Sequence, residues 1–167
     1  MPAPFDAPIA PLSQRRGDRW FIAAFLLFAC TSFFVDRLAA LDVDVCTEAR
    51  MGGLLCWYGQ TIDPLYLANP QWLRVMSGIS AWVFGPVYLV LAWAFARGVD
   101  ACRPVAVAWA VAILYSLVVH VWMELFGAHP SPMPAVMLAV YLPYALVPVL
   151  VLARMSRPRP FAPAAED

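Results

Sequence analysis

Charged residues are scarce in this chain, and lysine is missing altogether. Only 13% of the 167 residues are charged and 63% are hydrophobic, and the formal net charge is zero. The mean hydropathy of +0.71 lies far above that of ordinary soluble domains. A chain without a basic surface is not expected to bind nucleic acid or to attract an acidic substrate electrostatically. The composition indicates an integral membrane protein of one domain.

Residue spacings typical of metal sites are also missing. The sequence has no CxxC pair, only two histidines, and four cysteines that are not spaced as metal ligands. Metal sites that can be identified from sequence depend on such spacings. We therefore expect no metal ion and no cofactor. The sequence contains no internal repeat either.

Hydrophobic residues concentrate in four runs, at about 20–40, 72–96, 104–126 and 135–155. Each run has roughly the 20 apolar residues that a helix needs to cross a bilayer. The alternating pattern of a membrane barrel is missing from the sequence, and lipid offers no hydrogen bonds to an open backbone. The sequence predicts an all-α integral membrane protein, with a bundle of four transmembrane helices within residues 18–156.

Arginine sets the predicted orientation, because cytoplasmic loops carry an excess of basic residues. Eight arginines fall on one side of the predicted helices: Arg15, Arg16, Arg19, Arg97, Arg103, Arg154, Arg157 and Arg159. Arg37, Arg50 and Arg74 fall on or near the other side. Both termini are therefore predicted to be cytoplasmic, in a bacterial inner membrane or an endoplasmic-reticulum-type membrane. The Pro/Ala-rich segments 1–17 and 157–167 are predicted to be disordered tails.

Two of the cysteines, Cys46 and Cys56, fall in the long loop predicted on the outer side. Disulfides persist in that kind of compartment. A bridge would close the segment CTEARMGGLLC. The alternative is a pair of unbonded small apolar residues, and the sequence leaves both interpretations open.

Polar side chains of the four predicted helices should collect in the outer half of the bundle. At 1.5 Å per residue, Asp36 lies about 24 Å from the inner end of its helix, and His120 lies at about the same level. Glu124 follows His120 by four residues, so both occupy one face of the third helix. The same arithmetic brings three more polar residues to this region: Ser80, Tyr141 and Tyr144.

These residues have plainer interpretations as well. Tyrosines near an interface are ordinary belt residues, and Glu124 can be either a solvated helix end or a buried acid. Asp36 is different, because apolar residues precede and follow it. A charge at the centre of the hydrocarbon core costs about 2.5–3.5 kcal/mol, and such residues usually face the bundle interior. We therefore assign Asp36 a functional role.

The predicted outer loop WYGQTIDPLYLANPQW, residues 57–72, is too apolar for a solvated loop. We expect it to pack back onto the bundle. Asp63 in this loop could simply cap a helix, or it could approach Asp36, in which case the two carboxylates would share a proton. A cationic amine would complement such a pair. Prolines at positions 86, 143 and 148 predict kinks that would leave room for a pocket.

Three segments carry a family resemblance: GDRWFIAAFLLFACTSFFVDRLAAL, IDPLYLANPQWLRVMS and VYLPYALVPVLVLARM. In order and spacing they resemble the sigma-2 receptor branch of the EXPERA-domain proteins, over roughly residues 17–156. The wider family includes emopamil-binding protein, the sterol Δ8–Δ7 isomerase. The resemblance implies four helices with cytoplasmic termini and an occluded pocket, open towards the membrane, for sterol-like molecules or lipophilic amines.

The resemblance also assigns residues. The amine-binding aspartate of the family corresponds to Asp36 and its supporting aspartate to Asp63, and the pocket tyrosines correspond to Tyr141 and Tyr144. Two positions depart from the sigma-2 branch. Ser80 stands where that branch has a glutamate, and a phenylalanine at position 84 stands where it has a glutamine. The pocket is therefore expected to be less polar.

Three functions from different classes follow from the sequence. The first is binding of a lipid or other lipophilic small molecule at Asp36, Asp63, Ser80, Tyr141 and Tyr144, with a role in lipid trafficking or chaperoning. The second is a sterol or isoprenoid double-bond isomerase in which His120 and Glu124 replace the family's His and Glu pair. The third is a structural subunit of a membrane complex or a homodimer, packed through small residues of the second helix.

Overall fold

All regular structure is helical in the residues that the computed structural model describes, 9–47 and 52–162. Four helices are long and apolar enough to cross a membrane. The predicted fold class is confirmed, and the predicted bounds differ from the observed ones by a few residues. The six helices are α1 (Arg16–Ala40), α2 (Gly52–Thr61), α3 (Pro64–Ala68), α4 (Gln71–Arg97), α5 (Arg103–Phe126) and α6 (Pro134–Met155). A 3₁₀ turn at Asp100–Cys102 extends the third span to Asp100–Phe126.

Local sequence explains where these helices begin and end. Pro104 and Pro134 lie in the first turns of α5 and α6, where a missing N–H costs no helical hydrogen bond. Gly98 ends α4 with a φ of 71°, a left-handed conformation that glycine adopts without steric cost. Asn69 ends the short helix α3 in the same region, with a φ of 39°. The end of α4 and the beginnings of α5 and α6 therefore lie at residues that favour helix ends.

Two of the spanning helices contain a π-helical turn, and the turns face each other. In α1 the turn covers Ser32–Asp36, and in α4 it covers Ser80–Phe84, directly before Gly85 and Pro86. Pro86 accounts for the turn in α4, because it has no N–H to continue the ladder of hydrogen bonds. Phe33 rests on Gly85, where a Cβ atom would come within 2.8 Å of the phenyl ring. The two helices thus approach closely at the level of their π turns.

The hydrophobic core lies towards the end of the bundle near residues 9 and 162, where the described chain begins and ends, here called the terminal end. Helix α1 packs along α4, and α5 packs along α6. Aromatic rings join the pairs, since Phe25 meets Phe95 and Trp109 edge to face at 5.2 and 5.3 Å between centroids. The opposite end, here called the loop end, holds most of the polar side chains discussed below.

The segments predicted to be disordered tails are partly folded against the terminal end. Arg15 is buried and donates to Asp18 at 2.6 Å and to the carbonyl oxygen of Phe95 at 2.8 Å. Arg154 also donates to Asp18, and both guanidinium groups lie over the ring of the fully buried Phe161. These paired charges attach residues 9–17 and 157–162 to the bundle, and Phe161 belongs to its hydrophobic core. Residues 1–8 and 163–167 lie outside the described ranges.

At the loop end, a disulfide joins Cys46 to Cys56, with 4.9 Å between their Cα atoms. It connects the segment after α1 to helix α2. Arg50, used in the predicted orientation, lies outside the described residues. The cytoplasmic placement of both termini stays a prediction.

Candidate functional site

Asp63 lies at the junction of α2 and α3, and its side chain is buried. One carboxylate oxygen accepts a hydrogen bond from the backbone N–H of Tyr66 at 2.8 Å and so caps α3. The other oxygen accepts from the hydroxyl of Tyr141 in α6 at 2.9 Å. Next to it, Ser131 donates to the carbonyl oxygen of Ile62 at 2.5 Å. The α2–α3 segment thus packs back onto the bundle, as its apolar sequence predicted.

Three further side chains surround Asp63 at the loop end. The hydroxyl of Tyr141 lies 2.7 Å from His120 Nε2, and this nitrogen lies 3.7 Å from a carboxylate oxygen of Glu124. Tyr141 has one hydroxyl hydrogen, which it donates to Asp63, so His120 is the donor towards Tyr141. We call Asp63, His120, Glu124 and Tyr141 the Asp63 group.

Glu124 is fully buried, and neither of its carboxylate oxygens has a hydrogen-bond partner among the described residues. The interpretation as a solvated helix end is therefore wrong. The turn after α5 folds back over this residue, because the N–H of Ser131 donates to the carbonyl oxygen of Glu124 at 2.8 Å. A buried carboxylate without a hydrogen-bond partner raises the free energy of the folded protein. Glu124 is therefore expected to bind a ligand or to carry a proton.

Asp36 belongs to a second group of polar side chains, formed by the two π-helical turns. Ser80 donates to Asp36 at 2.6 Å, and the hydroxyl oxygen of Ser32 lies 2.9 Å from that of Ser80. Since Ser80 has one hydrogen to donate, Ser32 donates to Ser80, and a chain of hydrogen bonds ends on the carboxylate. We call Ser32, Asp36 and Ser80 the Asp36 group. π-Helical turns within α-helices are frequent at functional sites.

The structure does not pair Asp36 with Asp63 as the sequence suggested. Their hydrogen bonds go to different partners, Ser80 for Asp36 and Tyr141 for Asp63. Tyr66 is influenced by both, because burial and then the charges of Asp36 and Asp63 raise its pKa to about 12. Its buried hydroxyl has no hydrogen-bond partner among the described residues. Tyr66 is thus a free donor between the two groups.

The two candidate tyrosines of α6 are divided between the groups. Tyr141 bonds within the Asp63 group, whereas the hydroxyl of Tyr144 lies 2.8 Å from that of Thr31 in α1. The ring of Tyr144 stacks on Phe28, with 4.3 Å between the centroids. Tyr144 therefore connects the hydrophobic core, through Phe28, to Thr31, which directly precedes the Asp36 group.

Several contributors were not identified from the sequence. They are Ser32, Thr31, Tyr66 and Tyr58, and burial together with the charge of Asp63 raises the pKa of Tyr58. Serine, threonine and tyrosine are too common in membrane helices to stand out. The π turn in α1 has no proline that would have revealed it.

In the described residues no arginine balances the acids of the site, where the nitrogen of His120 lies 3.7 Å from Glu124. Within the described ranges, the arginine ion pairs go to Asp18, Asp42 and Asp100. None of these pairs reaches Asp36, Asp63 or Glu124. The loop end can therefore bind a cation or exchange a proton at buried carboxylates.

Comparison with known proteins gives one match. A family model described as EXPERA (EXPanded EBP superfamily) matches residues 51–155, which is more than half of the chain. The matched range includes the whole Asp63 group and Ser80, and Asp36 precedes it. No curated protein and no solved structure matches the chain.

Proposed function

The chain belongs to the EXPERA (EXPanded EBP) superfamily, and from this membership we propose that it binds a lipophilic ligand with a cationic amine, or a sterol-like molecule, within the membrane. The protein has four apolar helices of membrane-spanning length, so the ligand is drawn from the lipid phase. The binding site that we propose lies at the loop end, between the Asp36 group and the Asp63 group. Delivery or chaperoning of such a lipid is the cellular role that fits a binding protein.

The observation that carries this proposal is the environment of Asp36. Asp36 lies within a spanning helix. Its carboxylate accepts a hydrogen bond from Ser80, which is bonded in turn to Ser32. Among the described residues, no arginine forms an ion pair with Asp36. Hydroxyl donors orient a carboxylate but leave its charge in place. A protonated amine would offset that charge in a medium of low dielectric constant, where the attraction is strong.

Neighbouring side chains supply the remaining features of such a site. The ring of Tyr144, which stacks on the buried Phe28, offers an aromatic face for the apolar body of the ligand or for its ammonium group. The unpartnered hydroxyl of Tyr66 can donate to a polar atom of the ligand. These groups support the proposal of a long, apolar ligand, with one basic nitrogen in the case of an amine.

The test is equilibrium binding of a radiolabelled lipophilic amine to the purified protein in detergent, for the wild type and Asp36→Asn. Loss of one charge-assisted contact should weaken binding by roughly tenfold or more. The matched control is Asp44→Asn, an exposed aspartate in the segment after α1, which should bind as the wild type does. Equal affinity of Asp36→Asn and the wild type, with both folded, would refute the proposal.

A second candidate, double-bond isomerisation, is supported by the contact of 3.7 Å between His120 and the buried Glu124. In this reaction a protonated Glu124 would donate its proton to an alkene carbon and leave a carbocation on the neighbouring carbon. His120 or Asp63 would then remove a proton from the next carbon, so that the double bond shifts and no atom is gained or lost. Conversion of a sterol or polyprenoid panel, followed by mass spectrometry and NMR, tests it. Turnover should vanish in Glu124→Gln.

A further inference from the structure

We propose that the Asp63 group is a binding site for a divalent transition-metal ion, with Zn²⁺ as the best fit. The ligands are one carboxylate oxygen each from Asp63 and Glu124 and a ring nitrogen of His120. This site goes beyond lipophilic ligand binding, and it lies in a different group of residues from Asp36.

Geometry provides the first argument. The ligand atoms of Asp63, His120 and Glu124 all lie within 4.8 Å of one another. Zn²⁺ takes nitrogen and oxygen ligands at about 2.0–2.2 Å in a tetrahedral arrangement, so two ligands of one ion lie about 3.4 Å apart. A movement of up to about 0.7 Å by each side chain therefore closes the triangle around an ion. Three ligands leave a fourth position for water or a bound molecule.

Charge provides the second argument. Glu124 and Asp63 are 0% and 1% exposed, and neither forms an ion pair with an arginine in the described residues. Both oxygens of Glu124 also lack a hydrogen-bond partner there. A dication bound by two carboxylates and a neutral imidazole forms a neutral complex, which suits a buried place next to lipid. One ion would therefore give the Glu124 carboxylate a partner and also neutralise the charge of the two carboxylates.

The surroundings are those of supported metal ligands. Tyr141 donates a hydrogen bond to one oxygen of Asp63. This bond would hold the carboxylate in place while Asp63 binds the ion. On metal binding, His120 Nε2 would lose its hydrogen bond to Tyr141 and bind the ion instead. The hydrogen would then move to the other ring nitrogen. Helix α5 presents His120 and Glu124 one turn apart on one face, as an i, i+4 ligand pair requires.

The donor set selects the metal. It contains nitrogen and carboxylate oxygen but no sulfur, a combination that Zn²⁺ accepts readily. Mg²⁺ prefers octahedral oxygen ligands and keeps several waters, for which a largely buried site with a histidine ligand is a poor match. Bound metal would also join the α2–α3 segment to α5, because Asp63 lies between α2 and α3. We therefore expect the ion to stabilise the fold of the loop end.

The test uses the full-length protein without a polyhistidine tag, purified in detergent. Metal content is measured by inductively coupled plasma mass spectrometry after incubation with Zn²⁺ and removal of unbound ion. We expect about one zinc per chain in the wild type and less than about a tenth of that in His120→Gln and in Glu124→Gln. Addition of Zn²⁺ should raise the unfolding temperature of the wild type, whereas Mg²⁺ should leave it unchanged.

Control variants separate this site from other binding. His129→Gln replaces the exposed histidine of the turn after α5 and should keep the zinc. Asp63→Asn keeps an oxygen for capping α3, so it should fold and yet bind less metal. Because a variant that fails to fold would also lose metal, each variant is first compared with the wild type by circular dichroism. Co²⁺ then reports the site directly, since its visible absorption bands should appear in the wild type and not in His120→Gln.

The outcomes also distinguish this proposal from the proposed function. Asp36→Asn should lose the amine and keep the zinc, whereas His120→Gln should lose the zinc. A wild type that binds no zinc, or binds it equally well after His120→Gln, overturns the metal site and leaves amine binding at Asp36 untouched. Stoichiometric zinc would in turn exclude Glu124 as a proton donor for isomerisation, because a metal-bound carboxylate has no proton to give.

Discussion

Tyr141 donates a hydrogen bond of 2.9 Å to Asp63 and so joins the last spanning helix to the segment between α2 and α3. The same hydroxyl lies 2.7 Å from His120 in α5. Three parts of the chain that are distant in sequence therefore meet at one oxygen atom. This contact organises the loop end, and it determines which polar residues can act together.

Removal of this hydroxyl should destabilise the protein. Tyr141→Phe leaves the buried carboxylate of Asp63 with one donor fewer, and an unsatisfied buried group costs about 1–3 kcal/mol in the free energy of unfolding. Chemical unfolding in detergent measures the change. Tyr115→Phe is the matched control, because Tyr115 on α5 is 73% exposed and should have little effect. A loss below a few tenths of a kcal/mol in Tyr141→Phe would show that water replaces the hydroxyl.

The hydrogen bond from Ser80 to Asp36 should affect binding of a cationic amine. Ser80→Ala removes the donor of the 2.6 Å contact and lets the carboxylate change orientation. Affinity should fall by about fivefold, which corresponds to about 1 kcal/mol for one hydrogen bond. Ser116→Ala serves as control, since Ser116 bonds only to the carbonyl oxygen of Ile113 in its own helix. Unchanged affinity in Ser80→Ala would show that the hydrogen bonds of Ser32 and Ser80 do not contribute to amine binding.

Tyr66 should ionise late in an alkaline titration. Burial, followed by the charges of Asp36 and Asp63, raises its pKa from 10.0 to about 12. Because the folded pKa lies above the unfolded one, the contribution of Tyr66 to stability is complete below pH 10 and is lost as the pH rises towards 12. The difference in absorbance at 295 nm between the wild type and Tyr66→Phe should therefore develop near pH 12. A difference centred on pH 10 would show that the Tyr66 hydroxyl is in contact with water.

Phe161 should matter for folding although it lies near the C-terminus. Its ring is fully buried, 5.2 Å from that of Phe95, and two guanidinium groups lie over it. Phe161→Ala should lower the free energy of unfolding by about 3–5 kcal/mol, as expected for a phenylalanine removed from a core. Phe126→Ala is the control, because the Phe126 side chain is 67% exposed. Equal stability of the two variants would mean that the C-terminal segment does not pack against the bundle.

Much of the fold could be predicted, because crossing a membrane is a local property of the chain. About 20 apolar residues in sequence suffice to identify a span, whatever its neighbours are. The packing of residues 57–72 onto the bundle was predicted for a similar reason, since Leu65 and its apolar neighbours are costly to expose. Disorder near the termini was predicted from Pro/Ala content alone, and Phe161 shows that this content does not exclude burial.

The site was predicted only in part, because its members come from different helices. The sequence alone determined four spans, and the intramembrane Asp36 stood out because a charge is expensive there. Only the tertiary structure decided that Asp36 bonds to Ser80, and that Asp63 bonds to Tyr141 with His120 and Glu124 nearby. Rotation of each helix about its axis is set by side-chain packing between helices, and hydropathy along the chain carries little information about that rotation. Residues in the same layer of the membrane were therefore predictable, whereas their partners within that layer were not.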